Sequence, residues 1–222
     1  MIKEEFYFDS RDGENRIHAV RYTPDDGNVR GIVQIVHGMA EYVERYENLA
    51  EFLTKRGILV TGEDHLGHGK SVSEGGSFGY FCEQDPATVV VRDVHRLKKI
   101  TEEQYPQVPY IILGHSMGSF ITRDFAAKYG EELAGITICG TTGHFRGATE
   151  AESALLAAVA EGKGKESDPS FTADLMGWMC ERCGNISIGN EWICSDPYVQ
   201  RDHAEDPFDA FTRPTTNQSL LY

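Results

Sequence analysis

Four short apolar runs that alternate with amphipathic stretches constrain this chain more than any other feature. The runs are "GIVQIVHG", "ILVTGED", "YIILG" and "LAGITICG". A strand that is apolar along almost its whole length is one covered on both faces. Between the runs, "RYENLAEFLTKRG" places Tyr46, Leu49, Ala50 and Leu53 on one helical face and stops at Gly57. "TVVVRDVHRLKKITEEQYP" does the same with Val90, Val94 and Leu97, and "GSFITRDFAAKYG" again ends at a glycine. Strands and helices in this alternation predict βαβ units, hence an α/β fold with a mostly parallel, doubly wound sheet. Ahead of them, "EEFYF" and "RIHAVRYTP" flank the turn cluster "DSRDGEN", which predicts a hairpin.

The alternation ends at Gly140. Beyond it, "EAESALLAAVAEGKG" and "TADLMGWMCERCG" have helical character and are joined by polar, glycine-containing loops. A chain of 222 residues accommodates a core with an inserted subdomain. The expected division is a core over residues 1–141, a helical cap over 142–214 and the start of a return to the core over 215–222. Leu155, Leu156, Leu175, Met176, Trp178 and Met179 give that cap an apolar surface.

One strand-to-helix junction carries chemistry. "GHSMG", Gly114 to Gly118, fits G-x-S-x-G with a strand before it and a helix after it. Small residues flank the serine because a tight, strained turn leaves no room for side chains beside it. Such a turn pushes the Ser116 hydroxyl into a cleft. It also sets the Met117 N–H at a helix N-terminus, where an oxygen gaining negative charge is stabilised. "VHGMAEYVERY" follows an earlier strand, at the end of the sheet where open α/β folds place their sites. His37-Gly38 permits a sharp turn that faces the Met39 N–H into the same cleft. Ser116 is the candidate nucleophile, and the backbone N–H groups of Met39 and Met117 are the candidate oxyanion donors.

Other polar clusters have plainer readings. His65 and His68 in "EDHLGHGKS" have no third metal ligand close in sequence, so a turn with backbone-supporting side chains is expected. Cys180, Cys183, Cys194 and His203 imitate a zinc set, but Cys180 and Cys183 fall at i, i+3 of an apolar helical segment, a core pattern. His203 beside Asp202 and Asp206 looks triad-like, yet its place in the cap predicts an exposed, solvated imidazole.

Charge narrows the partners. Lys plus Arg total 21 and Asp plus Glu 35, a formal charge of −14. That balance argues against nucleic acid or an anionic membrane surface, which repel an acidic protein. The N-terminus has no signal-peptide core, and no run reaches the roughly 20 apolar residues of a spanning helix. A cytoplasmic protein without stable membrane insertion is expected. Five cysteines, an odd number, suit free thiols.

"HGMAEYVERY", "DHLGHGKS" and "GHSMG", in this order, resemble the α/β-hydrolase branch of monoacylglycerol lipases, lysophospholipases and serine aminopeptidases. The resemblance implies an α/β-hydrolase fold with a helical lid and an acyl-enzyme formed on Ser116. It also implies oxyanion donors at Met39 and Met117, and no metal or organic cofactor. The motifs leave the substrate open, and the apolar cap residues favour a carboxylic ester of lipid type, a monoacylglycerol or lysophospholipid. In this fold the serine is followed in the chain by an acid and then a histidine. No apolar strand run follows Cys139, so the last core strands are expected to be absent and the triad acid and base stay unassigned. That expectation leaves three readings: an ester hydrolase, an aminopeptidase of the same fold, or a non-catalytic remnant. It also predicts self-association or a complementing C-terminal segment.

Overall fold

The computed structural model describes residues 1–143, 148–166 and 191–209. Strands β1 (Ile2–Asp9) and β2 (Arg16–Thr23) form the antiparallel hairpin. Then come β3 (Gly31–Val36), α1 (Glu47–Thr54), β4 (Ile58–Glu63), α2 (Pro86–Gln104), β5 (Tyr110–His115), α3 (Met117–Tyr129) and β6 (Gly135–Cys139). α1 is entered through a 3-10 turn at Val43–Tyr46, which takes up Arg45 and Tyr46, the first residues of the expected helix. Gly57 beyond α1 has φ 74°, as a left-handed helix stop requires. Gly130 after α3 does not: its φ is −60°, and the chain runs on into a 3-10 turn.

The six strands lie in the order β1-β2-β4-β3-β5-β6. β4, β3, β5 and β6 are mutually parallel, and β2 joins β4 antiparallel. The chain steps from β3 to β4 on one side, then crosses back over β3 to reach β5 on the other. The winding therefore reverses at β3. The crevice at the C-terminal ends of β3 and β5 is the switch point where ligands of open α/β sheets bind.

Two cores fill the two faces. On one, Ile17, Ile32, Val36, Leu59 and Ile112 pack against Val90, Val94 and Leu97 of α2 and Ile121 and Phe125 of α3. On the other, Val20, Tyr22, Ile35 and Val60 meet Ala50, with Leu49 and Leu53 of α1 alongside. The adjacent pairs Ile35/Val36 and Leu59/Val60 divide between the faces because strand side chains alternate. This explains the unbroken apolar runs.

β6 departs from that pattern. It is hydrogen-bonded to β5 alone among the described strands, and Ile136 is 43% exposed. Between residues 142 and 214 the described elements are α4 (Ala148–Ala160) and α5 (Pro197–Glu205). Leu155 is buried and Leu156 exposed. Leu175, Met176, Trp178, Met179, Cys180, Cys183 and the segment 215–222 lie outside the described residues.

Candidate active site

Ser116 joins β5 to α3 with φ 51° and ψ −119°, a strained conformation for a residue with a side chain. Its backbone is fixed on both sides. The Ser116 N–H donates to the Cys139 carbonyl at 3.0 Å. The Ser116 carbonyl accepts from the Ser119 N–H at 2.9 Å and the Ser119 hydroxyl at 2.6 Å. Two glycines allow the close packing. A Cβ on Gly118 would collide with the Val36 and His37 carbonyls, so α3 abuts the end of β3 directly. A Cβ on Gly38 would lie 3.0 Å from the Ser116 Cβ, so the turn after β3 rests on the serine. Met117 is the first residue of α3, at the positive end of the helix dipole, and its side chain is in the core.

The turn after β3 is held by side chains. The His65 N–H donates to His37 Nε2 at 3.0 Å, so the His37 ring proton sits on Nδ1 and is donated to the Gly38 carbonyl at 2.7 Å. Burial, with His65 and His68 adding to it, holds His37 well below the usual histidine range, so the ring is neutral. The Gly38–Met39 peptide is trans. Its N–H therefore points opposite to the carbonyl, away from the buried His37 ring. His65 Nε2 lies 3.2 Å from the His37 carbonyl and His68 Nδ1 3.0 Å from the Leu66 carbonyl. Burial lowers these two pKa values to about 3 and about 4.

Glu41 lies three residues past Gly38. One of its oxygens, Oε1, accepts from the Gly38 N–H, from His115 Nδ1 at 2.9 Å and from the Tyr46 hydroxyl at 2.9 Å. Burial pushes its carboxyl up, but the His115 hydrogen bond and charge outweigh this and leave it below the usual range. His115 is correspondingly raised, first by that hydrogen bond.

α5 docks onto this turn. The Tyr42 hydroxyl donates to Asp206 at 2.8 Å, and the Arg45 guanidinium lies 2.6 Å from Asp209, with Asp202 and Asp206 at 3.4 and 3.5 Å. The Tyr42 and Phe208 rings meet edge to face at 5.3 Å. His203 is buried, 7% exposed, and hydrogen-bonds to the Ala40 backbone, correcting the expectation of a solvated histidine. The Arg45–carboxylate cluster brings α5 down on the turn, and this draws His203 out of solvent.

The structure thus sets Ser116 against the turn that carries Met39. Sequence reasoning missed Glu41, Arg45 and Asp209, and it misread the surroundings of His203. Glu41 had a signal: an acid three residues after a turn glycine can reach back to a backbone N–H, as in a capping box. Arg45, Asp209 and the burial of His203 depend on pairing across more than 150 residues, as in Arg45 to Asp202, which no local pattern records. The remaining histidines are engaged elsewhere. His18 sits between Asp64 at 2.8 Å and Glu5 at 3.1 Å, and His95 stacks on Tyr129 beside Glu132. His144 lies outside the described residues. Among the described residues, one trio could hold a metal ion, Glu5, His18 and Glu44. Lys70, 2.7 Å from Glu5 and 2.9 Å from Glu44, already neutralises it.

A family model described as serine aminopeptidase, S33, matches residues 27–220. Among curated proteins, a monoacylglycerol lipase of Mycolicibacterium smegmatis is 35% identical over 144 residues, 65% of this chain and 48% of that one. The monoglyceride lipase of Homo sapiens is 35% identical over 118 residues, 53% of this chain and 37% of that one. The chain spans about half the length or less of these relatives. Among solved structures, a thermostable carboxyl esterase from Bacillus coagulans in complex with glycerol superposes with TM-score 0.91 at 40% identity, covering 100% of this chain and 71% of that one.

Proposed function

Because the chain belongs to the serine aminopeptidase S33 family and has the α/β-hydrolase fold, we propose that it hydrolyses carboxylic esters, lipid monoesters first, through an acyl-enzyme on Ser116. The observation that carries this reading is the strained Ser116 turn at the sheet's switch point, packed against the turn of Gly38 and Met39. In the reaction the Ser116 oxygen attacks the ester carbonyl carbon and its proton passes to a base. The carbonyl oxygen becomes an oxyanion, received by the Met39 and Met117 N–H groups. Collapse expels the alcohol, and water then releases the acid by the same route. The lipase and esterase relatives support an ester substrate. The proposal includes a helical cap over 142–214, of which α4 and α5 are described, to receive the acyl chain.

The triad acid and base remain unassigned. The seven described histidines all have other engagements, which supports the reading that a complementing segment provides the base. β6, paired on one edge only among the described strands, is where such a segment would add a strand. No described helix is long and apolar enough to cross a membrane. A cytoplasmic location is part of the proposal.

The aminopeptidase reading needs carboxylates to hold a substrate amine. Asp202, Asp206 and Asp209 converge instead on Arg45, which favours the ester. The test is turnover of medium-chain p-nitrophenyl esters against aminoacyl-naphthylamides by the complete gene product. Ester turnover should dominate and fall to the Ser116→Ala background in that variant. Equal ester turnover with and without Ser116 defeats the proposal, and faster naphthylamide cleavage replaces it with a peptidase.

A further inference from the structure

We propose that Glu41 is a positioning residue that fixes the two arms of the oxyanion cradle relative to each other, an inference that rests on the Ser116 reading. The arms belong to different elements. One is the turn after β3, carrying Met39; the other is the turn after β5, carrying Ser116 and Met117. Catalysis needs both N–H groups aimed at one developing oxyanion, within a tolerance well below 1 Å. Backbone hydrogen bonds do not link the two turns to each other in any bond described above. The Glu41 carboxylate does: Oε1 holds the Gly38 N–H of the first arm and the His115 ring of the second.

Three further facts fit a part built for alignment. The Glu41 side chain is 14% exposed, and Tyr46 donates a third hydrogen bond to the same oxygen, which fixes the rotamer. Carboxylate oxygens can accept several donors at once, which neutral side chains of the same length do less well. The first arm is also held at the atoms on either side of the Met39 N–H: the Gly38 carbonyl by His37 and the Ala40 backbone by His203. Ala40 sits at φ 53°, a conformation that persists only when its surroundings hold it there. Glu41 connects this braced turn to the serine. It touches no substrate atom in this account and acts through the backbone it holds.

The test uses the complete gene product with four forms: wild type, Ser116→Ala, Glu41→Gln and Glu41→Ala. Glu41→Gln keeps one acceptor for the Gly38 N–H but loses the charge that strengthens the hydrogen bond to His115 Nδ1. It should lower kcat about tenfold with KM within twofold, and Glu41→Ala should lower kcat about a hundredfold, the range for loss of an oxyanion contact. The decisive readout is an alkyl boronic acid, which adopts the tetrahedral geometry on the serine. Its inhibition constant should rise in step with the lost kcat/KM, while binding of the fatty-acid product stays unchanged. A merely structural role would lower melting temperature and active fraction but leave the boronate constant of the folded fraction unmoved, and that result overturns the proposal. Wild-type turnover in Glu41→Gln overturns it too, including when Glu41→Ala fails to fold. Retained esterase activity and fluorophosphonate labelling in Ser116→Ala would instead sink the underlying reading, so the two failures are distinguishable.

Discussion

Gly118 shows how little freedom a single position near Ser116 has. Adding one methyl there drives it into the Val36 and His37 carbonyls, which are backbone and cannot rotate away. Gly118→Ala should therefore cost more than about 3 kcal/mol, in the range of severe core substitutions, read as a drop in urea midpoint or as loss of soluble protein. The histidines set a pH dependence. His65 and His68 have folded pKa values of about 3 and about 4 against 6.5 in the unfolded chain. Their contribution is complete above pH 6.5 and is lost as pH falls toward the folded values, because the unfolded chain takes up the protons first. Each adds up to about 1.4 kcal/mol of lost stability per pH unit. Urea midpoints should fall from pH 6.5 to 5, and His68→Asn should flatten that slope. The strained strand-to-helix turn at Ser116 was legible in the sequence because its glycine pattern is local. Glu41 was less so, and His203 was read wrongly, because its surroundings come from residues far away in the chain.

At the level of elements, the strand and helix pattern was legible almost throughout, since two-sided burial leaves unbroken apolar runs. The docking of α5 was not, because it rests on a polar pairing with the turn after β3. Arg45 is the centre of that pairing. Burial pushes the Asp209 carboxyl up to about 8 even with Arg45 opposing it; Arg45→Ala removes that opposing cation and its contacts to Asp202 and Asp206, and amide exchange across Pro197–Glu205 should quicken at least tenfold while β3 and β5 stay protected. Unchanged exchange would mean that the rings of Tyr42 and Phe208 alone hold α5. Among the described strands β6 is the other element open on one edge, with Ile136 exposed. An apolar edge invites pairing with another chain, and a charge on it discourages this. Ile136→Lys should reduce concentration-dependent association in light scattering of the 222-residue polypeptide.

Over the whole molecule, the charge of −14 acts at distances that single contacts do not reach. Turnover of a monoester presented on anionic vesicles should be slower than on zwitterionic ones, and added salt should narrow the gap as screening sets in. Equal rates at low salt would place the acidic surface away from the approach path. Fold class was readable from the alternation, but the way distant parts depend on one another was not. The bond from the Ser116 N–H to the Cys139 carbonyl is such a dependence. It joins the Ser116 turn to the last residue of β6, which pairs on one edge only among the described strands. When β6 frays, Ser116 loses a support of its strained backbone. On the proposed acyl-enzyme reading, the rate at which a fluorophosphonate labels Ser116 would then report how well β6 is ordered, readable in a gel lane without any structural probe.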